Sequence, residues 1–229
     1  MSYILQIETA TTSCSVALSY NRQVLAFKEI NARNIHAEVI TVYIDELIAK
    51  CNITYANLDA VAVSCGPGSY TGLRIGVSTA KGLCFALDKP LIAVETLAAM
   101  AMGVVTDNQV NNEMLLCPMI DARRMEVYTA IFNKAQQEIK PTAAEIIDEN
   151  SFAGLLAQQN ILFFGDGADK CRQALGNNPN AHFLPDFVNS AVHLTNIAAD
   201  KLERKEFVDV AYFEPYYLKD FIAGKKAGG

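Results

Sequence analysis

The chain begins with three short apolar runs separated by polar turns and then changes to a longer periodic pattern. The runs cover residues 3–8, 14–19 and 23–29, and they predict a meander of three strands. From about residue 36 to 51 the apolar residues recur every third or fourth position, which predicts a helix with one apolar face. The chain is therefore expected to begin as a strand meander followed by one amphipathic helix.

The elements predicted along the rest of the chain indicate two similar α/β lobes. A strand at about 58–63 leads through a glycine-rich turn to a helix that ends near Asp88, and a further strand (91–94) and a helix (from about 96) follow. The second half repeats this order more loosely, with strands predicted at 114–120, 126–132, near 138–140 and at 161–164, and with helices from about 151, through 171 and from about 190 to 205. This repeated order predicts lobes at residues 1–105 and 106–221, and residues 222–229 are expected to form a disordered tail.

The most informative stretch is the glycine-rich turn and helix start at residues 66–76, GPGSYTGLRIG. Within the helix, Gly72, Gly76 and Ala80 recur every fourth position and share one face, which we call the glycine stripe. A glycine inside a helix costs about 1 kcal/mol against alanine, so the stripe indicates a close approach of another backbone. That backbone belongs either to the protein's own sheet or to another subunit.

A phosphate-binding loop is a third interpretation of this turn, and the residue spacing argues against it. Glycine-rich turns at helix starts bind anions. However, Thr71 stands where a dinucleotide-binding fingerprint needs its third glycine, and no G-x-x-x-x-G-K-[ST] motif occurs in the chain. Ser69 or Thr71 can instead cap the free N–H groups of the first helical turn.

Composition and charge narrow the class of protein. The 229 residues are 51% hydrophobic and 19% charged, which is typical of a globular protein. The formal net charge of −6 disfavours autonomous binding to nucleic acid, and the pair Arg123-Arg124 is interpreted as a solvated surface feature. Six scattered cysteines without a C-x-x-C pair, no signal peptide and no stretch long enough to span a bilayer predict a cytoplasmic protein with reduced thiols.

No set of residues has the spacing of a known catalytic or metal-binding motif. The three histidines, His36, His182 and His193, do not stand at metal-ligand spacing, and H-E-x-x-H does not occur. No Ser or Cys has a recognisable base partner, and Ser69 is not part of a G-x-S-x-G motif. The sequence therefore predicts neither a catalytic residue nor a metal site.

Four segments together resemble the TsaB (YeaZ) family over essentially the whole chain. They are residues 4–9 continuing into 14–18 (ILQIET and CSVAL), 66–76, 120–128 (IDARRMEVY) and 214–218 (EPYYL). The resemblance implies an α/β, actin/Hsp70-like (ASKHA) fold of two RNase H-like lobes, with mixed sheets flanked by helices. It also implies a role in forming N6-threonylcarbamoyladenosine at position 37 of tRNA, as a subunit without catalytic activity of its own.

The same resemblance implies the partners of the protein. In this family the protein pairs with TsaD, a catalytic paralogue, and a P-loop ATPase subunit, TsaE, joins the pair. Homodimers form through the same surface, built on the glycine helix, which favours the subunit-contact interpretation. The predicted interface residues are Ser69, Gly72, Leu73, Gly76, Val77 and Ala80. We expect tRNA to bind only through the complex, and we expect no membrane contact.

The metal site of the catalytic paralogue is not matched. In that protein a His-x-x-x-His pair follows the strand that corresponds to residues 91–94, and its two positions align with Thr96 and Met100. Neither residue suits an iron or zinc site. The alternative function is that of a stand-alone metal-dependent peptidase or an ATP-dependent enzyme of the same superfamily. The missing histidine pair and the lack of phosphate loops argue against it.

A nucleotide site is only weakly indicated. In the superfamily an acidic residue in the first strand and another in the equivalent strand of the second lobe flank phosphates and magnesium. Glu8 and Asp121 are the counterparts here, and Thr9 and the turn glycine Gly165 complete the candidate set. We expect no tightly bound cofactor, and any role of ATP and magnesium belongs to the complex.

Overall fold

Two five-stranded mixed sheets with the same strand order form the framework of the protein. The computed structural model describes residues 1–107, 110 and 114–219. In each sheet three consecutive strands form an antiparallel meander, and two further strands run parallel to the first strand of that meander. The prediction of two similar α/β lobes is confirmed.

The first lobe has the strand order β3-β2-β1-β4-β5. Its strands are β1 (Tyr3–Glu8), β2 (Ser13–Tyr20), β3 (Gln23–Asn31), β4 (Ala60–Ser64) and β5 (Leu91–Val94). One face is covered by α1 (His36–Lys50) and α2 (Tyr70–Leu87), with a short 3₁₀ helix at Tyr55–Asn57 between them. Ile40 and Ile44 of α1 share this core with Val77 and Cys84 of α2 and with Val63 of β4.

The second lobe has the equivalent order β8-β7-β6-β9-β10. Its strands are β6 (Leu115–Asp121), β7 (Glu126–Phe132), β8 (Glu138–Ile146), β9 (Ile161–Phe164) and β10 (Ala181–Phe183). The short helix α4 (Ala153–Leu156) and α5 (Ala168–Leu175) cover one face, and α3 (Thr96–Thr106) covers the other. Alternate residues of β6 face the two layers, as period-2 geometry requires: Cys117 faces α5, and Leu116 faces α3.

Two elements lie across the predicted division into residues 1–105 and 106–221. α3, expected in the first lobe, packs on both sheets: Ala99 contacts the first, and Met100 and Val104 contact the second. The chain then returns to the first lobe well before residue 221. A 3₁₀ helix (Ala191–Leu194) and α6 (Thr195–Arg204) cover the free face of the first sheet, where Leu194 and Ala198 contact the strand residues.

Three further elements differ from the pattern-based expectation. β8 continues to Ile146 although Pro141 interrupts its apolar pattern, because β8 is an edge strand and its register shifts opposite Ile131. The helix expected from about residue 151 is the single turn α4, and β10 was not predicted. The predicted tail, 222–229, lies outside the described residues. None of the described helices combines the length and the apolar composition that crossing a bilayer requires.

Candidate functional site

A cleft of about 750 Å³ separates the two lobes. Its first-lobe wall consists of the β1–β2 loop, the segment before α1 and the start of α2, and its second-lobe wall consists of the β6–β7 turn with Tyr128 and Asp166. Tyr217 and Lys219 from the end of the described chain complete it. Cavities of this size accommodate small ligands, and a cleft between two lobes is a common place for a binding site.

The start of α2 is fixed on the loop that follows β1. The Ser69 hydroxyl accepts a hydrogen bond from Gly72 N at 3.2 Å, so the predicted N-cap is confirmed for Ser69. Ser69 N in turn donates to the carbonyl oxygen of Ala10 at 2.7 Å. The glycine-rich turn therefore sets the position of α2 against the β1–β2 loop.

The glycine stripe faces the interior of its own lobe. A Cβ on Gly72 would collide with the carbonyl oxygen of Thr9, and a Cβ on Gly76 would collide with the Thr9 side chain. Ala80 is fully buried in the first-lobe core. Leu73 and Val77 are buried as well, so the interpretation of these five residues as partner contacts is wrong. Of the six predicted interface residues, only Ser69 is exposed.

The opposite face of α2 is the one that a partner can reach. Thr71, Ser78, Gly82 and Phe85 lie on it, and we call these four residues the docking face. Nothing lies within 4 Å of a Cβ built on Gly82, and the Phe85 side chain is 85% exposed. α1 runs beside α2 and adds Val42, which is 50% exposed. The face combines small residues with exposed apolar ones.

The two nucleotide-site candidates at the end of β1 are buried. Glu8 is 1% exposed, and its carboxylate accepts a hydrogen bond from Ala10 N at 2.6 Å. Burial raises the pKa of Glu8 to about 7, although this hydrogen bond acts in the opposite direction. Thr9 is also buried, between β1 and the glycine stripe. Neither side chain lines the cleft, so both support the loop rather than face a ligand.

Asp121 lines the cleft, but its carboxylate already interacts with other groups of the second lobe. Lys170 of α5 forms an ion pair with its carboxylate, which also accepts a hydrogen bond from Arg123 N at 2.9 Å. With Glu8 buried and Asp121 paired, the two carboxylates do not fit a magnesium site between the lobes. Throughout the described residues, no three His, Cys, Asp or Glu side chains lie close enough together to hold a metal ion.

Gly165 and the two positions aligned with the paralogue's histidines have packing roles. Gly165 has a φ of +103°, and a Cβ there would collide with the carbonyl of Met119 in β6. Thr96 accepts a hydrogen bond from Gly66 N at 3.1 Å through its hydroxyl, and Met100 is buried beside Gly165. These residues join elements of the fold and do not line the cleft.

The last described segment, residues 214–219, crosses from the first lobe to the second, and we call it the C-terminal strap. Tyr216 N donates to the carbonyl of Cys65 at 2.7 Å, and the Tyr217 ring packs against the Tyr70 ring in a tilted arrangement with centroids 4.9 Å apart. Lys219 forms an ion pair with Glu126 of β7. Sequence reasoning found the motif at 214–218 but not its position over the cleft.

Two lobes with the same strand order and a cleft between them define the fold of the actin and Hsp70-like ATPase superfamily. The structure is similar to YeaZ from Pseudomonas aeruginosa, with a TM-score of 0.81, 24% identity and coverage of 95% of this chain and 100% of that one. It is more distantly similar to the activator of the 2-hydroxyisocaproyl-CoA dehydratase from Clostridium difficile, solved with bound ADPNP (TM-score 0.53, 10% identity, 89% and 97% coverage). These similarities confirm the expected fold.

The sequence comparisons define the family. The family model described as "TsaD: tRNA N6-adenosine threonylcarbamoyltransferase" matches residues 29–223. The tRNA threonylcarbamoyladenosine biosynthesis protein TsaB of Escherichia coli is 36% identical over 99% of this chain and 98% of its own length. The chain belongs to the TsaB (YeaZ) family, whose role is in the biosynthesis of threonylcarbamoyladenosine in tRNA.

Proposed function

We propose that the protein is a non-catalytic subunit required to form the threonylcarbamoyl group on N6 of adenosine 37 in tRNA. It docks on a TsaD-like catalytic paralogue and holds that partner in its active arrangement, and a TsaE-like P-loop ATPase joins the pair. Family membership supports the pathway. The six cysteines, all unpaired, fit a cytoplasmic location.

The observation that carries the docking proposal is the exposed small-residue face of α2. Ser78 and Gly82 let a second helix approach closely, and Phe85 offers a large apolar side chain at one end of the contact. The occupant is the TsaD-like paralogue, because the family model that describes TsaD also matches residues 29–223 of this chain, which include α1 and α2. A partner with the same fold has an equivalent helix pair, so the two pairs can pack face to face. In isolation, a second copy of this chain can occupy the same face.

The non-catalytic part of the proposal rests on the state of the candidate nucleotide-site and metal-site residues. The carboxylate of Glu8 accepts a hydrogen bond from Ala10 N, and the carboxylate of Asp121 forms an ion pair with Lys170. Thr96 and Met100 occupy the places of the paralogue's metal-binding histidines and have packing roles. We infer that this subunit has a structural role and that the catalytic groups belong to the TsaD-like partner.

The test uses a large side chain on the docking face and a matched control elsewhere. Gly82→Leu fills the space that a partner helix needs, while Gly154→Leu places the same side chain at an exposed glycine of the second lobe that likewise has no neighbour within 4 Å. We expect both variants to melt near the wild-type temperature. Only Gly82→Leu should lose binding to the TsaD-like paralogue in calorimetry and lose modification activity in the reconstituted system. Equal binding by the two variants would contradict the proposal.

A further inference from the structure

The seven arginines of the chain divide into two groups by their partners. Arg22, Arg172 and Arg204 each form an ion pair, with Asp200, Asp169 and Glu206 respectively. The remaining four have no acidic partner within ion-pair distance in the described part of the chain. They are Arg33, Arg74, Arg123 and Arg124, and we call them the arginine cluster.

All four members of the arginine cluster are exposed, and each one lines the cleft or is next in sequence to a residue that does. Arg33 lines it from the first lobe, before α1, and Arg123 lines it from the second lobe, in the β6–β7 turn that also contains Arg124. Arg74 lies over the ring of Tyr70, 4.3 Å from its centroid. Three segments that are distant in sequence therefore bring to the same opening guanidinium groups that have no acidic partner among the described residues.

Two tyrosines of the cleft wall lie beside these arginines. Arg74 Nε donates a hydrogen bond to the Tyr217 hydroxyl at 3.3 Å, and the rings of Tyr70 and Tyr217 pack against each other at an angle of 38°. Both tyrosines line the cleft. Aromatic faces next to arginines are typical of surfaces that bind single-stranded nucleic acid, because bases stack on the rings while the cations meet the backbone.

The lysines near the arginine cluster already form ion pairs. Lys170 pairs with Asp121, and Lys219 pairs with Glu126. Arg123 and Arg124 both have a positive φ, of 73° and 47°, as central residues of the tight β6–β7 turn. The turn thus holds two adjacent guanidinium groups at the cleft edge, while its acidic residue is neutralised by a lysine.

We propose that the arginine cluster binds phosphates of an RNA backbone, with the aromatic rings of Tyr70 and Tyr217 beside it on the cleft wall. The guanidinium group matches phosphate geometry through paired N–H donors, and it is weakly hydrated compared with an ammonium group. This inference rests on the proposed function, which brings tRNA to the complex. A single metal-bound nucleotide is disfavoured, because Glu8 is buried, Asp121 is paired with Lys170, and the arginines lie on an open rim. With a net charge of −6, the isolated chain binds RNA weakly, and the contact forms in the assembled complex.

The test measures tRNA binding by the reconstituted complex containing this chain, the TsaD-like paralogue and the TsaE-like ATPase. The variant is Arg33→Glu with Arg123→Glu, and the control is Arg204→Glu, an exposed and paired arginine at the end of α6. We expect the double variant to assemble normally and to bind tRNA at least about tenfold more weakly, the effect of removing one or more charge-assisted hydrogen bonds. The slope of log affinity against log salt concentration should become shallower by about 1 for each phosphate that the variant no longer binds. The control should match the wild type.

Each other outcome overturns the proposal. Unchanged tRNA affinity and salt slope in the double variant would show that RNA does not contact the cluster. Loss of assembly with the paralogue, measured by size-exclusion chromatography, would assign the cluster to an acidic surface of that protein. Competition of ATP for the tRNA contact at equal phosphate concentration would assign it to a mononucleotide.

A failure of the proposed function is distinguishable from a failure of this inference. If the wild-type chain does not bind the paralogue, the proposed function fails. The cluster is then tested by the same double variant and control on the isolated chain at low ionic strength, where the wild type should bind tRNA measurably and the double variant should not. Equal binding there would overturn the inference alone.

Discussion

Gly76 of α2 lies against Thr9 at the end of β1, and the space between the two residues leaves no room for a β-carbon. One turn earlier, Gly72 approaches the carbonyl oxygen of the same threonine. The glycine stripe is therefore the surface through which α2 packs on its own lobe. Because α2 carries the docking face on its other side, this contact also sets the distance of that face from the sheet.

We expect Gly76→Ala to destabilise the protein and Gly82→Ala to leave it unchanged or make it more stable. The new methyl group at residue 76 must displace Thr9, and overpacking of this kind costs about 1–3 kcal/mol. At residue 82 the methyl group has no neighbour within 4 Å, and alanine favours the helix by up to about 1 kcal/mol over glycine. Urea unfolding of both variants measures the difference. If the two variants were equally stable, the stripe would not be a packing contact.

We expect Glu8 to make the stability of the protein depend on pH. The pKa of its carboxyl is about 7 in the folded protein, against 4.5 when unperturbed. The folded state thus binds the proton more tightly, so this contribution is complete below about pH 4.5 and is lost as pH rises to about 7. At 1.36 kcal/mol per pKa unit, the loss is about 3 kcal/mol.

The check is the free energy of unfolding between pH 5 and pH 8 for the wild type and Glu8→Gln. The neutral glutamine cannot titrate, so the decrease over this range should be smaller in the variant by roughly the Glu8 contribution. A control, Glu203→Gln, changes an exposed carboxylate on α6 and should keep the wild-type slope. Parallel curves for the wild type and Glu8→Gln would contradict the raised pKa of Glu8.

We expect the purified chain neither to hydrolyse ATP nor to gain stability from ATP and magnesium. Asp121 is paired with Lys170, and Glu8 is held by Ala10, so neither carboxylate is free to bind a metal ion. A ligand that binds the folded state raises the melting temperature, which makes thermal unfolding with and without Mg-ATP a direct measurement. A rise that disappears in Asp121→Ala would restore the nucleotide site predicted at Glu8, Thr9, Asp121 and Gly165.

We expect Cys51 to react first with a thiol reagent under native conditions. It is partly exposed, whereas the other five cysteines are buried. Burial raises the pKa of the Cys65 and Cys117 thiols to about 12, which keeps them protonated and unreactive. Titration should therefore show one fast thiol in the native protein and six after unfolding. Cys51→Ser should abolish the fast phase, and a remaining fast thiol would show that another cysteine opens to solvent.

Local patterns in the sequence were sufficient to predict most elements of the fold. The strand meander of residues 3–29 and the amphipathic α1 depend on alternation and period within a few residues, and both are present. The four-residue spacing of Gly72, Gly76 and Ala80 correctly placed them on one face. Spacing does not say what a face contacts, and the family resemblance favoured a partner where the structure shows Thr9.

The features that sequence reasoning missed depend on contacts between distant segments. α6 packs on β1 and β5, and no local pattern around residue 195 indicates which sheet it covers. Lys170 neutralises Asp121 across 49 positions of sequence. The arginine cluster likewise combines residues 33, 74, 123 and 124, and only the three-dimensional structure shows that they have no acidic partner within the described ranges. Contacts of this kind depend on the fold and cannot be predicted from local sequence patterns.

The return of the chain to its first lobe has a consequence for synthesis on the ribosome. The face of the first sheet around Ile4, Ala62 and Ile92 is covered by residues 194–199. Residues 194–199 leave the ribosomal exit tunnel only after the whole of the second lobe has been synthesised. During translation the nascent first lobe thus presents an open apolar face, while the second lobe, which is continuous in sequence from β6 to β10, can close first. The N-terminal half of this protein is the last to be completed.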